Sequence, residues 1–223
     1  MTPEAYGLPQ GIGIDGRTNQ AVPRKIGAYD TEGINGDGAT AIPSQLVFFQ
    51  DGTKFGEASL APSTKKYGRD TNITSKQGGM AKGERLYAYG MTTKVAALDG
   101  DLNSAANAVW FDQIRRLWGI SWIEFKLGGD EFGVFQARDI PVCAPRPAHV
   151  EQFQAVAADA FLLVDDISQE GMYDLTIDGQ PYIVDQQEDF RVNWNMNPQN
   201  LMLKLDTFIT LRIEGIRLKS LRL

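Results

Sequence analysis

The chain has 223 residues, with 22 basic and 28 acidic side chains and a net charge of −6, which excludes a protein-wide basic footprint for nucleic acid. Its one cysteine, Cys143, excludes an intrachain disulfide, and its one histidine, His149, excludes metal sites built on two or three imidazoles. An apolar content of 43% with 10% aromatics is ordinary for a chain that buries a core, and the length suits one large β domain.

Residues 1–45 read as an extended N-terminal arm. They hold eight glycines and four prolines and no sustained apolar period. Such a segment buries too little surface to order itself, so it needs the domain or a neighbouring chain to lie on. From residue 46 to 223 the text reads as a single β-rich domain. "QLVFF" from Gln45 and "ERLYAYGMTT" from Glu84 are β-rich runs. A helix follows, because Leu102, Ala105, Ala106, Val109, Trp110, Gln113 and Leu117 recur at helical spacing. Asp101 or Asn103 can cap its start, Arg115 and Arg116 suit its C-terminal dipole, and Gly119 stops it. Next come strands in "ISWIEFKL" and "EFGVFQ", then a weaker helix over Gln152–Phe161 whose end, "AFLLV", reads equally as a buried strand.

The last fifty residues alternate clearly. "YDLTI", Asp178-Gly179 and "QPYIV" predict a hairpin, since Asp-Gly supplies the positive φ angles of a tight primed turn. In "DFRVNWNM", Phe190, Val192 and Trp194 share one face; in the final strand, Ile209, Leu211 and Ile213 do. Residues 204–223 carry Lys204, Arg212, Arg217, Lys219 and Arg222 against Asp206 and Glu214. This is either the solvated face of a strand or a basic end able to meet genome or membrane phosphates.

Each motif that could carry chemistry depends on its context. Gly128, Gly129, Asp130, Glu131 and Phe132 spell the diguanylate cyclase signature on a turn between two strands. The metal-binding strand and its partner motifs do not precede it, so the letters read as a Gly-Gly turn. Gly11, Gly13 and Gly16 match a dinucleotide fingerprint, but between prolines rather than between a strand and a helix. Asp99, Asp101 and Asn103 resemble half a calcium loop; helix capping explains them as well. Gly78 and Gly83 have phosphate-loop spacing, yet Glu84 stands where a lysine must be. Cys143 and His149 sit in a proline-studded connection, and nothing in the spacing of Asp165, Asp166, Asp185, Glu188 and Asp189 selects an acid–base pair. No catalytic, cofactor or metal residue is therefore assigned. Trp110, Trp118, Trp122 and Trp194 read first as core, and otherwise as a sugar-stacking platform.

The opening residues lack the charged start and apolar run of a signal peptide, and no stretch approaches the ~18 apolar residues of a membrane span. The expectation is a chain that is not secreted, in which the sequon Asn72-Ile73-Thr74 carries no weight.

From "TNITSKQGGMAKGERLYAYGM" through "WIEFKLGGDEFGVFQARDIPV" to "YDLTIDGQPYIVDQQEDFRVNWNMNPQNLMLKLDTFITLRIEGIRLKSL", the chain resembles jelly-roll capsid proteins of small icosahedral bacteriophages. The shared order is a strand, a helix, a strand ending at a Gly-rich turn, the connection "ARDIPVCAP", a Phe-led strand and a final strand carrying Glu214-Gly215. The resemblance implies a mainly β jelly roll, an antiparallel sandwich with one or two helices in its connections. It implies a non-enzymatic, self-assembling subunit, a major capsid protein rather than a minor one. Its partners would be copies of itself in trimers or pentamers and other virion proteins. It would be made in the host cytoplasm and end in the virion. A β-sandwich binding module, for carbohydrate or phage attachment through exposed tryptophans, is the alternative, and a surface position for Trp122 or Trp194 is what favours it. The cyclase-like enzyme is the third reading.

Overall fold

In the computed structural model, strands form where large apolar side chains alternate with polar ones. Residues 21–24, 27–73, 80–81, 83–97, 105–127, 130–141, 152–153, 161–162, 171–185, 190–197 and 201–220 are described. In chain order the elements are β1 (Ala21–Arg24), β2 (Ala28–Ile34), β3 (Gln45–Phe48), β4 (Glu84–Ala97) and α1 (Ala105–Gly119). Then come β5 (Ser121–Leu127), β6 (Asp130–Gln136), a 3₁₀ turn Ala137–Asp139, β7 (Gln152–Phe153) and β8 (Phe161–Leu162). The last are β9 (Tyr173–Asp174), β10 (Tyr182–Val184), β11 (Phe190–Met196) and β12 (Thr207–Ser220).

The chain is mainly β, with two antiparallel sheets. In the first, β1 and β2 lie along one edge of β12, β4 along the other, and β9 and β10 beyond β4. The second runs β3-β11-β5-β6, and among the described residues β7 pairs only with β8. Ile209, Leu211 and Ile213 of β12 share one buried cluster with Phe190, Val192 and Trp194 of β11 and with Ile123 and Phe125 of β5. The period-two pattern of both long strands is therefore realised as sheet-on-sheet packing.

Helix α1, in the β4–β5 connection, adds Trp110, Phe111, Ile114, Leu117 and Trp118 to that cluster. The Trp110 indole N–H donates to Thr207 Oγ1 at 2.8 Å, and Trp118 meets Trp194 edge-on at 4.9 Å between centroids. Gln113 clasps the chain before β12: its Nε2 donates to the Met202 carbonyl (2.8 Å) and its Oε1 accepts from Lys204 N–H (2.9 Å).

Four expectations change. First, β2, a full sheet strand, and β1 both lie inside the segment read as an arm. β2 presents Asp30 and Glu32 at inward positions, so its alternation does not register as hydrophobicity. Second, the buried stripe of α1 centres on Trp110, Ile114, Leu117 and Trp118, which leaves Val109 exposed on the far side. Third, the ends of the second predicted helix are the paired strands β7 and β8; residues 154–160 lie outside the described part.

Fourth, "YDLTI" and "QPYIV" do not form one long hairpin. Tyr173–Asp174 and Tyr182–Val184 each pair with β4, making one edge strand in two pieces. Between them only Ile177 and Gln180 pair, around Asp178 (φ 52°) and Gly179 (φ 76°). The primed turn is as expected, and Pro181, with no N–H for a ladder, follows it.

Candidate functional site

The described charges concentrate where composition gave no hint. On β2, Asp30 and Glu32 point inward, and Lys66 enters between them from the long connection that follows β3. Lys66 Nζ lies 2.7 Å from Asp30 Oδ1 and 2.7 Å from Glu32 Oε1, with all three side chains withdrawn from solvent. Asp30 Oδ2 also accepts from Phe49 N–H (2.7 Å), and Glu32 Oε2 accepts from Gly56 N–H (3.2 Å). The ammonium sits 5.3 Å from the Phe55 ring centroid. Burial pushes both carboxyls above their ordinary range, Glu32 to about 7, against the pull of Lys66.

The same connection covers the free edge of β2. Gly33 N–H donates to Ser59 Oγ and the Gly33 carbonyl accepts from Leu60 N–H, both at 2.7 Å. Asn72 accepts from Tyr29 N–H (2.9 Å) and donates to the Gly27 carbonyl (2.7 Å). An open strand edge is a pairing hazard, and this covering removes it. Side chains so fully enclosed cannot meet a substrate, so the cluster acts as a strut that fastens the connection to β2. Nothing in the spacing of Asp30, Glu32 and Lys66 marks them. They become a group only when the connection folds back.

The outer face of the second sheet is of another kind. Cross-strand register sets Gln45, Asn195, Trp122 and Gln136 in one row, and Val47, Asn193, Glu124 and Val134 in the next. Gln45 Nε2 donates to Asn195 Oδ1 at 2.6 Å, while the buried Asn195 Nδ2 has no hydrogen-bond partner. Asn193 Nδ2 donates to Glu124 Oε2 (3.2 Å), and Lys126 Nζ lies 3.3 Å from the same oxygen. These contacts, Asn193 first, hold the Glu124 carboxyl below its ordinary range, and the Asn195 amide helps from outside hydrogen-bonding range. Trp122 stands 38% exposed in this setting.

Of the four tryptophans, Trp110, Trp118 and Trp194 are core and Trp122 is surface. Asp130 and Glu131 open β6, opposite Leu127 and Lys126, so the cyclase-like letters lie on a β5–β6 hairpin; Gly128 and Gly129 fall outside the described residues. Glu84 pairs with Arg217, which also donates to the Asn72 carbonyl (3.1 Å). Arg212 lies 3.5 Å from Glu214, and Asp185 2.6 Å from Arg85. The basic end is thus partly neutralised within the chain. Gly11, Gly13, Gly16, Asp99, Asp101, Asn103, Gly78, Cys143, His149, Asp165, Asp166, Glu188, Asp189 and Arg222 lie outside the described residues. No protein-family model matches the chain, nor does any curated protein or solved structure.

Proposed function

We propose that the chain is a jelly-roll capsid subunit, a viral structural protein whose function is to assemble with copies of itself. One observation carries this reading: the nesting of strand pairs. Taken in chain order, β2, β3, β4, β5, β6, β10, β11 and β12 pair first with last (β2–β12), second with seventh (β3–β11), third with sixth (β4–β10) and fourth with fifth (β5–β6). Pairs β12–β4 and β11–β5 then complete two sheets. Rolling up a long antiparallel hairpin would produce such an order, and this supports reading the sandwich as the double Greek key of a jelly roll, an architecture of viral capsid and lectin domains.

A second observation supports assembly over a free monomer. Met172, Ile177 and Ile183 are all exposed, just before β9, in the turn segment that follows it and in β10, at the same margin of the first sheet. Apolar side chains gathered at a sheet margin that pairs with no further strand among the described residues suit contact with a neighbouring subunit.

The test is the mass of the purified protein by light scattering behind size exclusion, with negative-stain images of the leading peak. Trimers, pentamers or shells are expected, and a stable, inert monomer would sink the proposal. The double variant D130A/E131A should assemble like the wild type. A GTP-consuming activity that disappears with those two carboxylates would move the protein to the cyclase class.

A further inference from the structure

We propose that the outer face of the β3-β11-β5-β6 sheet binds a carbohydrate, at a patch centred on Trp122. This goes beyond assembly, because it gives the subunit a ligand.

Trp122 and Val134 stand on neighbouring strands, two residues apart in register and so on one face, and are 38% and 55% exposed. They make a small apolar step that borders amides and charged side chains, with Val47 at the far end of the second row. A pyranose ring has the complementary shape: one face of C–H bonds to lie on an indole, and a rim of hydroxyls that each donate and accept. The rim of the step offers both partners. Glu124 supplies carboxylate oxygens, Lys126 an ammonium, and Gln136, directly opposite Trp122, an exposed amide.

The second observation is independent of exposure. Asn195, the other cross-strand neighbour of Trp122, is 7% exposed, and its Nδ2 donor is unpaired. Buried donors are normally satisfied. Trp118 and Trp194 also hold unpaired indole N–H groups, but those lie inside the core, whereas Asn195 faces outward. A hydroxyl that accepts from Asn195 completes that donor, and its own proton can go to the Glu124 carboxylate that Asn193 and Lys126 already hold in place. Amides and a carboxylate held in place by their own hydrogen bonds form a preorganised hydroxyl reader.

Other occupants fit less well. A phosphate needs cations beside it, yet Lys126 is already engaged by Glu124, and Arg191, opposite Lys126, lies two rows from Trp122. The centre of a protein–protein interface is apolar and poor in charge, whereas the three apolar side chains here, Trp122, Val134 and the half-buried Val47, sit among amides and ions.

The experiment uses the full chain on an array of bacterial and mammalian oligosaccharides. Calorimetric titration with soluble hexasaccharides of glucose and of N-acetylglucosamine follows. Saturable binding of at least one glycan is expected, weakened tenfold or more by W122A and severalfold by E124Q, with thermal unfolding and oligomeric mass unchanged. Should W122A fail to fold, V134E replaces it and is expected to weaken binding as strongly. Three results would overturn the proposal: no binding at millimolar oligosaccharide, binding indifferent to these substitutions, or a W122A protein whose oligomeric mass falls. The last would mean that a second copy of the chain covers this face.

Discussion

Lys66 and Asp30 meet at 2.7 Å with neither side chain exposed, and Glu32 completes the contact from the other side at the same distance. Removing a cation from such a site leaves carboxylates buried without compensation, which costs about 3–5 kcal/mol. K66M is therefore expected to lower unfolding stability by that amount in urea titrations at pH 8, above the Glu32 titration of the intact cluster, followed by circular dichroism. The triple replacement D30L/E32L/K66M, which removes every charge at once, should recover most of the loss. A K66M cost below ~1 kcal/mol would show that the cluster does not fasten the connection to β2.

The same cluster sets a pH dependence. Glu32 has an ordinary value of 4.5 and is raised to about 7 by burial, so the folded chain holds its proton after the unfolded chain has released it. Its contribution is fully present below about pH 4.5, is lost as pH rises towards 7, and is level above that. Asp30 is shifted in the same direction. The loss is at most roughly 3 kcal/mol. Thermal melts between pH 5 and 8 should show E32Q with a flatter profile than the wild type. Parallel profiles would place the titration elsewhere.

β12 changes register between Glu214 and Gly215 where it pairs with β4. A Cβ on Gly215 would lie 2.2 Å from the Tyr87 carbonyl oxygen, whereas one on Gly68 would meet nothing within 4 Å. G215A should cost about 2 kcal/mol or more, because backbone must move to admit the methyl group. G68A should fall within ~0.5 kcal/mol of the wild type. Equal costs in denaturant titrations would argue against this packing of β12 on β4.

Two tryptophans in neighbouring strands make an internal control. Trp194 is fully buried, edge-on to Trp118 and 6.3 Å from Phe48, while its cross-strand row neighbours face the core with it. Trp122 sits one position off in register and faces out. W194A should cost about 3–5 kcal/mol as a core truncation, and W122A no more than ~1 kcal/mol. Comparable losses in thermal melts would contradict the assignment of Trp122 to the surface.

Alternation, by itself, determined most of the β structure. Phe190, Val192 and Trp194, and Ile209, Leu211 and Ile213, were legible as buried faces because a strand turns every second side chain the same way. Asp178-Gly179 announced its turn through the φ angles those residues tolerate. What the tertiary structure alone decided depends on contacts distant in sequence. β2 was hidden because its inward positions are acidic, and only Lys66, brought over by the folded-back connection, makes such a strand stable. The helical stripe was misplaced at Val109 because the direction of the core is set by the sheets, not by the helix. The tryptophans were indistinguishable by composition; sheet register put Trp194 inside and Trp122 among the outer amides. Local patterns specify which way a side chain turns relative to its neighbours, but whether that side is protein or solvent depends on what the rest of the chain lays against it.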